Sequence, residues 1–209
     1  MYSFVYIVFL SEKKLEKSKI AQLLSSFSRE ELRELAKFVG NPFFNQRAEV
    51  VALLQLISKT LLSGKPLPSK ERVFRHLFKH EIYDDHRVRM AMSALLQATE
   101  KYLATRDFLN DKPAFNFRLS KILRERNLAA AAQGAWHDGA EALEHREWRI
   151  AEHHYELYKF QEEKYRAAQD SSEFDTLDLQ PLSDQLDIAF LTRKFWQCCF
   201  LLAHQARYN

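Results

Sequence analysis

The chain has 209 residues, 46% hydrophobic and 13% aromatic with 16 Phe, which supplies ample apolar area for a core and excludes a disordered chain. Four Gly and five Pro leave little material for hairpin turns, whereas good helix formers dominate, so strands are disfavoured. The net charge of +3 is unevenly spread: residues 1–126 hold 23 Lys and Arg against 14 Asp and Glu, or +9, and residues 127–209 hold 8 against 14, or −6.

The opening MYSFVYIVFL is apolar but has no basic flank before it and no small-x-small site after it, and ten residues are too few to span a bilayer. Residues 1–14 are therefore read as an N-terminal extension, and a membrane role is not expected. A helix is predicted over 15–25, with Ile20, Leu23 and Leu24 apolar. The strongest local signal follows at Ser28, which forms a capping box with Glu31, flanked by the staple pair Phe27 and Leu32. Leu32, Leu35, Ala36 and Val39 then keep helical spacing, Gly40 stands where a left-handed C′ residue would, and Pro42 stops the helix. Helix 28–39 is the result.

Asn45 is expected to cap a helix over 46–62, and SGKPLP at 63–68 reads as a turn. Ser69 caps a short helix carrying Val73, Phe74, Leu77 and Phe78. Asp84 or Asp85 then starts a longer one through Val88, Met92, Leu95, Leu96, Thr99 and Leu103. Further helices are predicted at about 113–126, opened by Pro113, then 128–145, 147–169 and 179–207, with a polar loop over 170–178. Ala129 to Ala132 with Gly134, Ala135, Gly139, Ala140 and Ala142 give one helix a face of small side chains, which lets neighbours approach closely. The fold expected is all-α, built of antiparallel helix pairs in a bundle or an α-solenoid of tetratricopeptide-like kind, although no repeat period is clean. Two subdomains are expected, 15–110 and 113–209.

Chemistry is sparse. Cys198 and Cys199 are adjacent, so they form no disulfide framework and no Cys-x-x-Cys pair; they read as packing residues in a reducing, cytoplasmic setting. His76 and His80 lie four apart but lack a third ligand, and Ala142, Ile150 and Ala151 stand where glutamates would precede His145, His153 and His154 in a di-iron bundle. There is no Gly-x-Ser-x-Gly turn, P-loop or dinucleotide fingerprint. No catalytic, metal or cofactor site is expected. Trp136, Trp148 and Trp196 read as core or interhelix anchors.

Two functional expectations remain. The first is a protein-interaction scaffold, with self-association through residues 182–208. Phe190, Phe195, Trp196 and Phe200 there spread apolar surface over more of the last helix than one neighbour can bury. The second is nucleic-acid binding by a helix-turn-helix-like unit at 69–103, presenting Arg72, Arg75, Arg87 and Arg89, with His86 beside them. Its link is longer than usual, and Asp84 and Asp85 oppose phosphates.

The segments LLSSFSREELRELAKFVGNPFFN, KERVFRHLF, YDDHRVRMAMSALLQATEKYL and LQPLSDQLDIAFLTRKF resemble successive blocks of an uncharacterised family of bacterial helical proteins. The resemblance implies an all-helical fold and brings no catalytic residue. Members of that family start near the position of Lys17 and continue past residue 209 into further helices. The resemblance thus implies that this chain is a short member or a piece, truncated at its C-terminal end.

Overall fold

A computed structural model of the chain describes residues 15–169 and 177–208. The N-terminal extension 1–14 and residues 170–176 of the expected polar loop lie outside the described residues. The protein is 79% helical, with nine α-helices and no strand among the described residues. The chain divides into two compact units, Met1–Arg106 and Asp107–Asn209.

The first unit opens with a 3-10 turn, Leu15–Lys17, and α1 (Lys19–Ser25). The single helix expected over 15–25 is split because Ser18 caps α1, its hydroxyl accepting the Ala21 amide. α2 (Arg29–Val39) starts as the sequence dictates: the Ser28 hydroxyl takes the Glu31 amide at 3.2 Å, and Glu31 takes the Ser28 amide at 2.8 Å. Gly40 ends α2 with φ −74°, so the expected left-handed residue is absent there. The following segment turns through Asn45 instead. Its amide group donates to Val39 and Arg47 carbonyls, its oxygen accepts the Arg47 amide, and α3 (Ala48–Leu62) begins two residues later than expected.

Gly64, at φ 66°, makes the turn after α3. α4 (Lys70–Leu77) is capped by Ser69, and α5 (Asp85–Asn110) begins after Asp84, whose carboxylate accepts the His86 amide. Leu24, Leu35, Val39, Val50, Leu53, Ile57, Phe74, Val88 and Leu95 close one core, each at most 1% exposed. Burying each large aliphatic there contributes roughly 1.5–3 kcal/mol. At one edge of this core Tyr102 donates to Glu34 at 2.7 Å, and Arg106 bonds Glu31 at 2.7 Å. Those pairings run α5 antiparallel to α2. The Ser28 amide and then Arg106 hold the Glu31 carboxyl below its ordinary range, while burial pushes the Tyr102 hydroxyl up to about 12.

The second unit contains α6 (Lys112–Glu125), α7 (Ala129–Glu144), α8 (Ala151–Ala168) and α9 (Gln180–Tyr208). Asp111 caps α6 with Pro113 in its first turn, and Asn127, at φ 61°, makes the tight link to α7. The expected small face of α7 is buried in part: Ala132, Ala135 and Gly139 point inward together with Leu143, whereas Ala129, Ala130, Ala131 and Gly134 are exposed. A Cβ on Gly139 would lie 2.8 Å from the Phe160 ring and 2.9 Å from the Asn116 Cβ, so α6 and α8 both close upon this glycine. The Trp136 indole donates to the Phe160 carbonyl at 2.7 Å. Arg146 braces the end opposite the Asn127 link, bonding Asp111 at 2.6 Å and Glu156 at 2.7 Å.

Candidate functional site

α8 and α9 pair antiparallel, as two contacts show: His154 meets Gln185 at 2.9 Å, and Arg193 bonds Glu152. Gln185, Ala189 and Arg193, spaced by four, thus mark the side of α9 that faces α8. Because α8 begins at Ala151, the 15 residues of α9 after Arg193 run about 22 Å past the end of their partner at 1.5 Å per residue. Ala189 is the buried residue of α9, and every residue over 190–208 is exposed.

That exposure is unusual in kind. Phe190, Phe195, Trp196 and Phe200 are 60–67% exposed, and Leu201 and Leu202 stand beside them. Trp196 and Phe200 stack on each other at 5.9 Å, a contact within one helix. The two cysteines, expected as packing residues, are free and exposed; so is Trp196, expected as an anchor, because no element of the second unit reaches this far along α9. Trp148, 78% exposed, is likewise no anchor: α8 starts at Ala151 and leaves it in the link. Trp136 alone among the three tryptophans packs between helices.

The helix-turn-helix-like segment is arranged differently from a groove reader. α4 and α5 are joined by residues 78–84. Arg87 bonds Glu81 and lies 3.9 Å over the Phe78 ring, and Arg89 pairs with Asp85 at 3.0 Å. Lys70 reaches Asp85 at 3.0 Å and, with Tyr83 beside it, holds that carboxyl below its usual range. Arg72, Arg75 and His86 are exposed. Two of the four arginines, Arg87 and Arg89, are thus held in surface ion pairs. His76 and His80 do not share a helix face: α4 ends at Leu77, and His80 adopts φ 69°.

Two concavities lie among the described residues. A shallow one of about 400 Å³ in the first unit is bordered by Phe43, Phe44, Arg47, Met90 and Lys101. Phe43, 86% exposed, sits in a stretch the sequence marks only as a connection. The other, about 340 Å³, lies among α6, α7 and α8 beside Trp136, with buried Glu163 bonded to Arg124 at 2.7 Å. At the opposite end of α8, His153 is 3% exposed with its Nδ1 unpaired, and burial followed by the neighbouring His154, Arg149 and Arg146 pushes its pKa down. Among the described residues no group of His, Cys, Asp and Glu could hold a metal ion, and no helix is long and apolar enough to cross a membrane.

No family model, curated protein or solved structure matches the chain, so its own residues carry the functional argument.

Proposed function

We propose that the protein is a non-enzymatic helical scaffold, and that it works by docking protein onto the apolar surface of α9. The observation that carries this reading is the run 190–208, helical throughout and without one buried residue. An apolar surface of several hundred Å² left open on a folded chain marks an interaction site, and aromatic side chains are the usual anchors of such sites. A bare helix of that length is marginal in water, because nucleation is costly and propagation gains little without packing. A covering protein surface supplies what is missing.

Nucleic-acid binding has less support, since Arg87 and Arg89 are spent on Glu81 and Asp85. The test of the docking reading is a photo-reactive residue at position 200, compared with one at the exposed Lys65 turn, in living cells. Covalent protein adducts at position 200 well above those at 65 are expected. Equal yields at the two positions would remove α9 as the docking surface.

A further inference from the structure

We infer that the occupant of one face of α9 is a second copy of this chain, paired antiparallel about a two-fold axis near residue 197. The inference rests on the docking reading above and names the occupant of the seam alone, the side of α9 that carries Phe200 lying outside this pairing. Ile188, Phe195 and Leu202 recur every seven residues, and so do Thr192, Cys199 and Ala206; the two sets alternate at spacings of four and three. Together they form one seam along five turns, which is the pattern two helices bury in a coiled-coil contact. The seam lies roughly 100° around the helix from the side that meets α8, so a second α9 and α8 do not compete for it. All six side chains are open to a partner, with Phe195 67% and Leu202 65% exposed.

The order of sizes along the seam selects the occupant. Run antiparallel against itself, Ile188 faces Ala206 of the second copy, Thr192 faces its Leu202, and Phe195 faces its Cys199. Each layer then sets a large side chain against a smaller one, and the two-fold repeats the three layers in reverse. Interiors pack to crystal-like density when large and small positions interdigitate in this way. Run parallel in register, the same seam would stack Phe195 on Phe195 and leave a void between two Ala206. The flanks agree: Trp196 meets its mate beside the axis on one side, and Cys198 meets its mate on the other.

Charge and area are consistent with the same arrangement. The two charged residues between Ile188 and Ala206 are Arg193 and Lys194; both lie off the seam, and Arg193 is bonded to Glu152. No like charges are forced together. At about 200 Å² for a large aromatic, the exposed parts of Phe195 and Trp196 bring roughly 250 Å² per copy. Ile188, Leu191 and Leu202, 40–65% exposed, add to this toward the ~800 Å² per partner of a stable interface.

Sedimentation of the purified chain across micromolar concentrations provides the test. The native protein is expected at twice its 24.7 kDa chain mass. Phe195→Glu, on the seam, should weaken association by roughly 100-fold or more, because it deletes an anchor and strands a carboxylate in the contact. Phe200→Glu, equally exposed but off the seam, should leave the dimer intact. Circular dichroism checks that both variants stay helical, which their exposure predicts. Spin labels at position 207, with Cys198→Ser and Cys199→Ser, should lie about 30 Å apart in the antiparallel pair, 20 residues of helix at 1.5 Å each. A separation near the width of one helix would overturn the antiparallel arrangement. A native monomer overturns the self-pairing; if position 200 still captures another protein in cells, the docking reading stands without it.

Discussion

Two glycines on one helix allow the packing argument to be tested by sign. Gly134 and Gly139 both lie inside α7, so replacing either with Ala removes the same excess of unfolded-state freedom, about 1 kcal/mol in a helix interior. Their surroundings differ. A Cβ at Gly134 meets nothing within 4 Å, so Gly134→Ala should raise stability by up to about 1 kcal/mol. At Gly139 the new methyl would sit 2.8 Å from two Phe160 ring carbons and 2.9 Å from the Asn116 Cβ. Carbon atoms rest at about 3.5–4.0 Å, so each contact is short by at least ~0.6 Å. The Phe160 ring can rotate partly away, but the Asn116 Cβ is fixed to the α6 backbone, so two helices must separate. Overpacking of that kind costs about 1–3 kcal/mol, which exceeds the propensity gain. Urea unfolding followed by circular dichroism should move the second unit's midpoint down for Gly139→Ala and up for Gly134→Ala. An upward shift of equal size at both positions would refute the close approach of α6, α7 and α8.

Ser28→Ala should lower stability by about 0.5–2 kcal/mol in the same titration, since it removes one half of the capping box; an unchanged midpoint would mean the cap contributes nothing. His153 has a folded-state pKa below its ordinary value, so the unfolded chain binds the extra proton first. Its stability contribution is full above about pH 6.5 and is lost as the pH falls below that value. His153→Leu should therefore flatten the loss of stability of the second unit between pH 7 and 5, and an unaltered pH profile would contradict the buried neutral imidazole. Duplex DNA should not bind at about 50 mM salt, where phosphate-driven association is strong. Anisotropy showing salt-sensitive binding that weakens with Arg72→Ala and Arg75→Ala would restore the nucleic-acid reading.

The sequence is most readable where one short stretch determines the outcome. Ser28 with Glu31 and Pro113 in the first turn of α6 each depend on neighbours within a turn or two, and each forms as expected; the alanine and glycine face of α7 is buried only at Ala132, Ala135 and Gly139. Gly40 shows the limit of such rules: glycine permits a left-handed end but does not require it, and the chain turns at Asn45 instead. His80 and Asn127 take the left-handed conformations that no glycine there announces. The pair Arg89 and Asp85 was legible, being four apart on a helix, whereas the Arg87 contact with Glu81 depends on how residues 78–84 fold back.

For the site, the excess of apolar residues on the last helix was visible in its spacing. What spacing does not contain is the length of the neighbouring helix. Trp196, Cys198 and Cys199 read as core residues because their local surroundings are apolar, yet α8 begins too late to cover them. Trp148 fails for a related reason, since it stands three residues before the start of α8 and so shares no face of that helix. A residue's burial is decided by distant partners, and these lie beyond any local pattern.

Hydrogen exchange over residues 190–208 of the purified protein tests the docking role of α9 most directly. A helix without a covering surface opens readily, so at low concentration these amides should exchange far faster than those of α2 or α5. As concentration rises and the seam is covered, their protection should climb by at least an order of magnitude while α2 and α5 stay unchanged. Protection equal to that of α2 and α5 at every concentration would contradict the account, because α9 would then be stable with its aromatic face uncovered.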